Sequence, residues 1–217
     1  MRPRPAAARS CINARTRLDE LRPGLWRWTA AHPDWEPNPD PGSPADWPRD
    51  VGCVAYAASG GFVFVDPLLP TPPEPFWAEV DELVEGHRGR VSVVTTLQFH
   101  RRSRDEFAAR YGASTSRAKK SLPEDVVPIP IRGAGETMIW LPRPRALIPG
   151  DRILGDDRGG LRLCPESWLR YLPGRISLDD LRTKLRPLLE LPVELVLASH
   201  GAPVLRSGRE ALARALA

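Results

Sequence analysis

The sequence has few cysteines, no long hydrophobic run and only four histidines among its 217 residues. The three cysteines, Cys11, Cys53 and Cys164, are far apart and form no CxxC pair. This pattern argues against a disulfide framework or a thiolate metal site and favours a reducing cytoplasm. No apolar run approaches the ~20 residues that a membrane-spanning helix needs. With 41% hydrophobic and 27% charged residues, the composition is typical of a soluble globular protein that does not engage a membrane.

The charge pattern gives no sign of a nucleic-acid interface. The formal net charge of +4 comes mainly from arginines scattered in ones and twos, which indicates a solvated surface. Basic and aromatic residues do not interleave as they do in proteins that bind single strands. We therefore expect a small molecule, rather than DNA or RNA, as the partner.

The first 17 residues differ in composition from the rest of the chain. They are rich in arginine and alanine and contain no acidic residue, as in a transit peptide, but they lack the apolar core of a secretion signal. We predict a disordered extension over residues 1–17 and a single domain over residues 18–217.

Four predicted strands lead into a side chain that can bind a metal ion. FVFV ends at Asp66, VSVV leads to His100, ALIPG ends at Asp151 and VELVLAS ends at His200. Carboxylates and imidazoles are the usual ligands of Zn²⁺, Fe and Mn²⁺ when no thiolate is present. Each residue also has a structural interpretation, because an aspartate can cap a turn and a buried histidine can bond to the backbone. Ligands bind at the carboxyl edge of open α/β sheets, so we expect the four to meet there.

The segment around His100 reads as strand, tight turn and helix. Ser103 and Glu106 have the spacing of a capping box, and Gly112 ends the predicted helix. A long loop near the start of the domain carries His32, Trp35 and Trp47. Loops of this length are usually functional or disordered, and the tryptophans favour either an ordered lid over a pocket or simple surface packing.

These segments together resemble the metallo-β-lactamase fold, including the hydroxyacylglutathione hydrolases of the glyoxalase II type. The resemblance implies a four-layer αββα sandwich with a dinuclear metal site between its sheets. GFVFVDPLLP is similar to the segment that ends in the family's structural aspartate, here Asp66. RALIPGD resembles the segment with the metal-bridging aspartate, here Asp151, and LVLASHGAPV resembles the one with the last metal histidine, here His200.

The chain departs from the family pattern where most of the metal ligands should be. In place of HxHxDH, residues 98–103 read QFHRRS, so only His100 is kept. The middle histidine of the family should fall near GAGET, where Glu136 is the nearest candidate. His100, Asp151 and His200 suffice for one divalent metal (Zn, Fe or Mn). Arg102, however, places a fixed positive charge where the family has a carboxylate ligand, and that charge repels a cation.

Two functions follow from this reduced site. In the first, a hydrolase holds one metal that acidifies a water for attack on a thioester, ester or lactone, with His32 or Glu136 as acid or base. Trp35 and Trp47 would then exclude solvent.

In the second, a metal-free pseudoenzyme keeps the pocket but has lost the metal chemistry. Arg101 and Arg102, with Arg132 as a further candidate, would line the former site and bind a small anionic ligand through forked hydrogen bonds.

Overall fold

The computed structural model describes residues 18–37, 39–115, 122–156, 158–172 and 174–217. The predicted extension at residues 1–17 lies outside them. The first sheet has the strand order β1-β2-β3-β4-β5 and is antiparallel except between β4 and β5. Its strands are β1 (Asp19–Arg22), β2 (Leu25–Ala31), β3 (Asp50–Ala58), β4 (Gly61–Val65) and β5 (Arg90–Val94).

The second sheet has the order β11-β8-β7-β6, with β11 parallel to β8 and the other pairs antiparallel. A separate antiparallel pair, β9 with β10, stands beside it. The strands are β6 (Val127–Ile131), β7 (Glu136–Leu141), β8 (Ala146–Ile148), β9 (Ile153–Gly155), β10 (Leu161–Leu163) and β11 (Leu195–Val196). The helices are α1 (Glu74–Glu85), α2 (Arg104–Tyr111), α3 (Glu166–Leu169), α4 (Leu178–Leu185) and α5 (Gly208–Ala215).

Strand alternation buries both faces of the first sheet, because successive side chains point to opposite sides. Along β4, Val63 and Val65 face the second sheet, whereas Phe62 and Phe64 face α1 and α2. The outer aromatic layer includes Phe107 of α2, which is fully buried. A third apolar cluster joins the far face of the second sheet to α4 and α5. The three clusters separate four layers, and they confirm the predicted αββα sandwich.

The predictions for the two ends of α2 were partly correct. Gly112 ends α2 in the left-handed conformation (φ 58°), as predicted. Ser103 precedes α2 but forms no capping hydrogen bond. Its hydroxyl instead accepts a hydrogen bond from the Leu69 N–H, at 3.0 Å. This tertiary bond ties the loop after β4 to the start of α2, and it replaces the expected capping box. Within the described ranges, no helix is both long enough and apolar enough to cross a bilayer.

Candidate metal centre

The structure brings the ends of four strands together at one edge of the sandwich. Asp66 follows β4, and His100 lies in a 3₁₀ turn (Gln98–Arg101) after β5. Asp151 follows β8, and His200 lies just beyond β11. The segment with His200 crosses to the first sheet, where the Gly52 N–H donates to the Ser199 carbonyl at 2.7 Å. The convergence predicted from the strand exits is therefore present.

Asp66 fixes the orientation of the His100 ring. Its Oδ2 lies 2.8 Å from His100 Nδ1, and its two oxygens accept hydrogen bonds from the Thr96 amide (2.8 Å) and hydroxyl (2.5 Å). Asp66 has a φ of 49°, a left-handed backbone that is unusual for a residue other than glycine. With Nδ1 bound to a carboxylate, the other nitrogen of His100 points at Asp151. This carboxylate–histidine pairing is the usual support of a metal-binding imidazole.

Two imidazoles converge on one oxygen of Asp151. His100 Nε2 lies 3.0 Å and His200 Nε2 lies 3.3 Å from Asp151 Oδ1. The two histidines are the contacts of this buried oxygen, and their alignment is poorer than that of ordinary hydrogen bonds. His200 Nδ1 is buried without a hydrogen-bond partner among the described residues. One ligand atom from each of the three residues lies within 4.8 Å of the others. Buried polar atoms without partners are costly, and a divalent cation would satisfy them. The donor set therefore fits a metal.

The electrostatics of the triad depend on the carboxylates. Burial and the charge of Arg102 disfavour protonation of His100, but Asp151 and Asp66 outweigh them and raise its pKa to about 9. Burial lowers the pKa of His200, although Asp151 opposes this effect. Burial alone would raise the pKa of Asp151, yet the two histidines hold it well below its usual range. With this pKa, His100 is protonated at neutral pH and forms an ion pair with the ionised Asp151. A bound metal would replace that proton, because only a neutral imidazole is a metal ligand.

Glu136 lies beneath the loop that carries Asp151. Its side chain is 4% exposed, and it accepts hydrogen bonds from the backbone N–H groups of Gly150 (3.0 Å), Asp151 (2.7 Å) and Arg152 (3.0 Å). Burial raises the pKa of Glu136, whereas the charge of Arg152 and the amides of Gly150 and Asp151 favour its ionised form. The approach is close at Gly150, where a Cβ would lie only 2.5 Å from Thr96 Oγ1.

This placement does not support the roles predicted for Glu136. Its oxygens are already engaged by three donors, and it is not among the residues that line the cavity at the triad. The geometry therefore supports neither an acid–base role nor a place among the metal ligands. The observed contacts make Glu136 a residue that positions Asp151.

Arg102 connects three parts of the chain at the edge of the triad. Its guanidinium donates to the carbonyls of Gly52 (3.1 Å) and Asp66 (2.9 Å) and to Ser199 Oγ (2.7 Å). These bonds join β3, the loop after β4 and the segment after β11, so much of the donor capacity predicted for an anionic ligand is used internally. Its charge opposes protonation of both His100 and His200, and burial has a larger effect in the same direction. Arg102 still lines the cavity, but as a member of a fixed network.

The structure offers no second set of metal ligands in the described part of the chain. Gln98 is exposed and lines a neighbouring cavity rather than the one at the triad, and the Ser103 hydroxyl is bonded to Leu69. The described residues contain one cluster that could hold a metal, formed by His100, Asp151 and His200. A mononuclear site is therefore the largest that these residues can build.

A cavity of about 330 Å³ opens over the triad. The predicted loop contributes Trp47, whose ring is 5.6 Å from that of His200. Trp168 contacts His200 from another side, with ring centroids 5.7 Å apart. The loop is fastened to α3 because Trp168 Nε1 donates to the Ser43 carbonyl, at 3.2 Å. Two tryptophans thus cover one of the three candidate ligands.

The other predicted site residues differ in whether they line the cavity. His32 lines the cavity, and its Nδ1 accepts a hydrogen bond from the Asp34 N–H at 3.2 Å. Trp35 does not line the cavity, but its Nε1 donates to the Trp47 carbonyl at 3.0 Å and so supports the loop. Arg101 is exposed and lines neither cavity described here. An anion-binding role for Arg101 therefore finds no support in its position.

Six cavity residues were not anticipated from the sequence: Asp34, Pro44, Phe99, Arg152, Trp168 and Tyr171. Arg152 directly follows Asp151, so its position beside a candidate ligand was the one available signal. Phe99 and Tyr171 are 67% and 70% exposed, although both are large and hydrophobic. Exposed aromatic residues at the rim of a cavity are typical of ligand sites.

The comparisons with known proteins agree with this architecture. The sequence matches no protein-family model and no curated protein. Among solved structures, the DIM-1 metallo-β-lactamase is 14% identical with a TM-score of 0.55, covering 92% of this chain and 98% of its own. The chain has the metallo-β-lactamase fold.

Two further structures with this fold were solved with a single zinc, as their descriptions state. The FIM-1 enzyme from Pseudomonas aeruginosa, in its mono-zinc form, has 11% identity and a TM-score of 0.56 over 93% of this chain and 94% of its own. An NDM/FIM-1-like enzyme from Erythrobacter litoralis, also in the mono-zinc form, has 14% identity and a TM-score of 0.57 over 94% and 95%. At such low identity, the similarity concerns the fold and not the reaction.

Proposed function

We propose that the chain is a cytoplasmic hydrolase with one divalent metal, which acts on a thioester, ester or lactone. The substrate classes come from the resemblance to hydroxyacylglutathione hydrolases. His100, Asp151 and His200 would hold the metal, with zinc as the first candidate because related folds have mono-zinc forms. A metal in such a site supplies Lewis acidity, which lowers the pKa of water and polarises a carbonyl.

The observation that carries this proposal is the convergence of two imidazole nitrogens on one oxygen of Asp151. This oxygen is buried, negatively charged and faced by the Nε2 atoms of two histidines at 3.0 and 3.3 Å. Asp66 also holds His100 by Nδ1, so that its other nitrogen faces the same point.

The protein residues around the triad have separate tasks. Burial lowers the pKa of His32, and the nearby Arg102 adds to this effect, so the imidazole is neutral at neutral pH. Because its Nδ1 accepts the Asp34 N–H, the ring proton lies on Nε2, which makes His32 a hydrogen-bond donor for a ligand. Trp47 and Trp168 flank His200 and exclude water from it.

Hydrolysis of a small panel of substrates tests the proposal. The panel contains a glutathione thioester, an aryl ester and a lactone, each assayed with zinc-loaded protein. We expect turnover of at least one class, loss of that turnover on chelation and recovery when zinc is restored. Asp151→Ala should abolish it, whereas Asp179→Ala, which removes an exposed carboxylate, should not. Turnover that survives in excess chelator would contradict the proposal.

A second candidate function has an observation of its own in favour. Arg102 places a permanent positive charge close enough to oppose protonation of three histidines, His32, His100 and His200, in addition to the larger effect of burial. This charge weakens metal binding, and the family pattern does not contain it at this position. A metal-free protein that binds a small anionic ligand is the corresponding alternative. Failure of zinc, iron and manganese to bind at any loading would favour it.

A further inference from the structure

Two adjoining cavities share part of their walls beside the triad. The first, at the triad, has a volume of about 330 Å³, and the second has about 480 Å³. Each volume lies in the range of about 300–1,000 Å³ that small-molecule sites occupy. Four residues line both cavities: Phe99, Arg152, Trp168 and Tyr171. A ligand that reaches the triad can therefore extend past these residues into the second cavity.

The second cavity leads from this junction towards the space between the two sheets. Val94 of β5 and Ile139 of β7 line it, and both belong to the apolar cluster between the inner faces of the sheets. Ile139 is fully buried, and Val94 is only 6% exposed. Leu122 also lines the cavity and packs against the same cluster. The far end of the cavity is therefore continuous with the apolar core.

The polar groups between β5 and β7 are engaged within the protein. The Thr96 carbonyl accepts a hydrogen bond from the Thr137 N–H at 2.8 Å, and the Thr96 hydroxyl donates to Asp66 at 2.5 Å. Among the described residues that line the second cavity, Arg152 is the one with a charge, and it lies at the junction with the first cavity. A ligand at the far end would therefore be held by apolar contact.

We propose that the second cavity binds an unbranched apolar chain of the substrate while the reacting group lies at the triad. This inference rests on the proposed function and deepens it, since it makes the substrate an aliphatic ester, thioester or lactone. Phe99, Trp168 and Tyr171 supply aromatic surface where the chain passes from one cavity to the other. Thr137 and Ile139 line the second cavity alone, so they determine how long a chain can enter.

The experiment measures binding of the chain without metal or turnover. The protein is stripped with chelator and dialysed, and isothermal titration calorimetry compares butanamide, hexanamide and octanamide. The three probes have the same neutral head group, and they differ only in the length of the chain. Each methylene that becomes fully buried strengthens binding by about fourfold. Octanamide has four more methylenes than butanamide, and we expect it to bind at least about tenfold more tightly.

A variant of Thr137 assigns this gain to the second cavity. Thr137 lies two positions before Ile139 on β7, so the two side chains share the inner face of the strand. Thr137→Phe places a ring in the cavity, and the gain from butanamide to octanamide should fall below about threefold. Thr183→Phe makes the same change at an exposed position of α4 outside both cavities and should keep the gain. If Thr137→Phe does not fold, Thr137→Leu supplies the test, with a smaller loss.

The outcomes separate this inference from the hydrolase proposal. Equal affinity for the three amides, no measurable binding of octanamide, or a gain that survives in the Thr137 variants would contradict chain binding in the second cavity. A gain that Thr183→Phe reduces equally would contradict it too. Dependence on chain length together with a failure to bind zinc would refute the hydrolase and leave the apolar site in place. Zinc-dependent turnover without any dependence on chain length would refute this inference and leave the hydrolase standing.

Discussion

Replacing Glu136 with glutamine should destabilise the fold and weaken the metal site together. The Glu136 carboxylate holds the turn that presents Asp151, through bonds of 3.0, 2.7 and 3.0 Å from three consecutive amides. One oxygen accepts from Gly150, and the other accepts from both Asp151 and Arg152. In glutamine, one of these acceptors becomes an NH₂ group that can only donate.

The expected loss of stability follows from the more favourable of the two orientations that the glutamine side-chain amide can adopt. That orientation keeps the bonds to Asp151 and Arg152 and turns the NH₂ group towards the Gly150 N–H, which leaves a buried donor without an acceptor. Such a group costs about 1–3 kcal/mol, and the remaining bonds lose the strength that ionisation gave them. We expect the free energy of unfolding to fall by about 2–3 kcal/mol. Mutation of a residue that supports a metal ligand typically lowers metal affinity by about 10- to 100-fold. We expect zinc binding to weaken by a similar factor.

Urea unfolding of the metal-free protein measures the first effect, and competition with a coloured chelator measures the second. Glu190→Gln, at an exposed position, is the control and should match the wild type in both assays. A fall in the urea midpoint with an unchanged slope would indicate lost native stability. Unchanged stability together with lost turnover would refute the positioning role and restore Glu136 as a candidate acid or base.

Two further variants test neighbouring parts of the account. Asp66→Asn removes the carboxylate that holds His100 Nδ1. It should lower zinc affinity by about 10- to 100-fold, as measured by competition with a chelator. Unchanged affinity would contradict the supporting role of Asp66. Asp125→Ala removes the acceptor of the Tyr56 hydroxyl (2.9 Å) and the Ser59 hydroxyl (2.8 Å) and should lower the free energy of unfolding by about 2 kcal/mol at neutral pH. Burial opposes the ionisation of Asp125, but the bonds from Ser59 and Tyr56 outweigh it and lower the pKa of Asp125 in the folded state. The ionised Asp125 therefore contributes fully to stability above its unfolded-state pKa of about 3.9. This contribution is lost as pH falls through the lower pKa of the folded state. The difference in unfolding free energy between the variant and the wild type should therefore shrink in acid.

The sequence predicted the features that depend on strand periodicity and strand exits. Alternating and continuous apolar runs fix where strands end, and the fold brings those ends to one edge. His100, Asp151 and His200 therefore came together as expected. Asp66 took the supporting position that the family resemblance had implied. These residues follow their strands directly or within one short turn, which leaves the backbone little freedom to carry them elsewhere.

The residues whose contacts the local sequence did not indicate are fixed by long-range partners. Glu136 looked like a candidate acid, but its partners lie 14 to 16 positions further along the chain. Ser103 had the spacing of a helix cap, yet its hydroxyl bonds to Leu69, 34 positions earlier. Arg152 was not singled out from the sequence, because nothing in the local sequence shows that its side chain is buried. In each case the tertiary partner outweighs the local pattern.

The metal content of the protein tests the central claim most directly. The protein is loaded in turn with Zn²⁺, Fe²⁺ or Mn²⁺, dialysed, and analysed by mass spectrometry for metal per chain. We predict one zinc per chain in the wild type and in His32→Ala, whose side chain lines the cavity outside the triad. The His200→Ala variant should lose the metal while it keeps its fold. No bound metal in the wild type under any loading, or one that His200→Ala retains, would contradict the account.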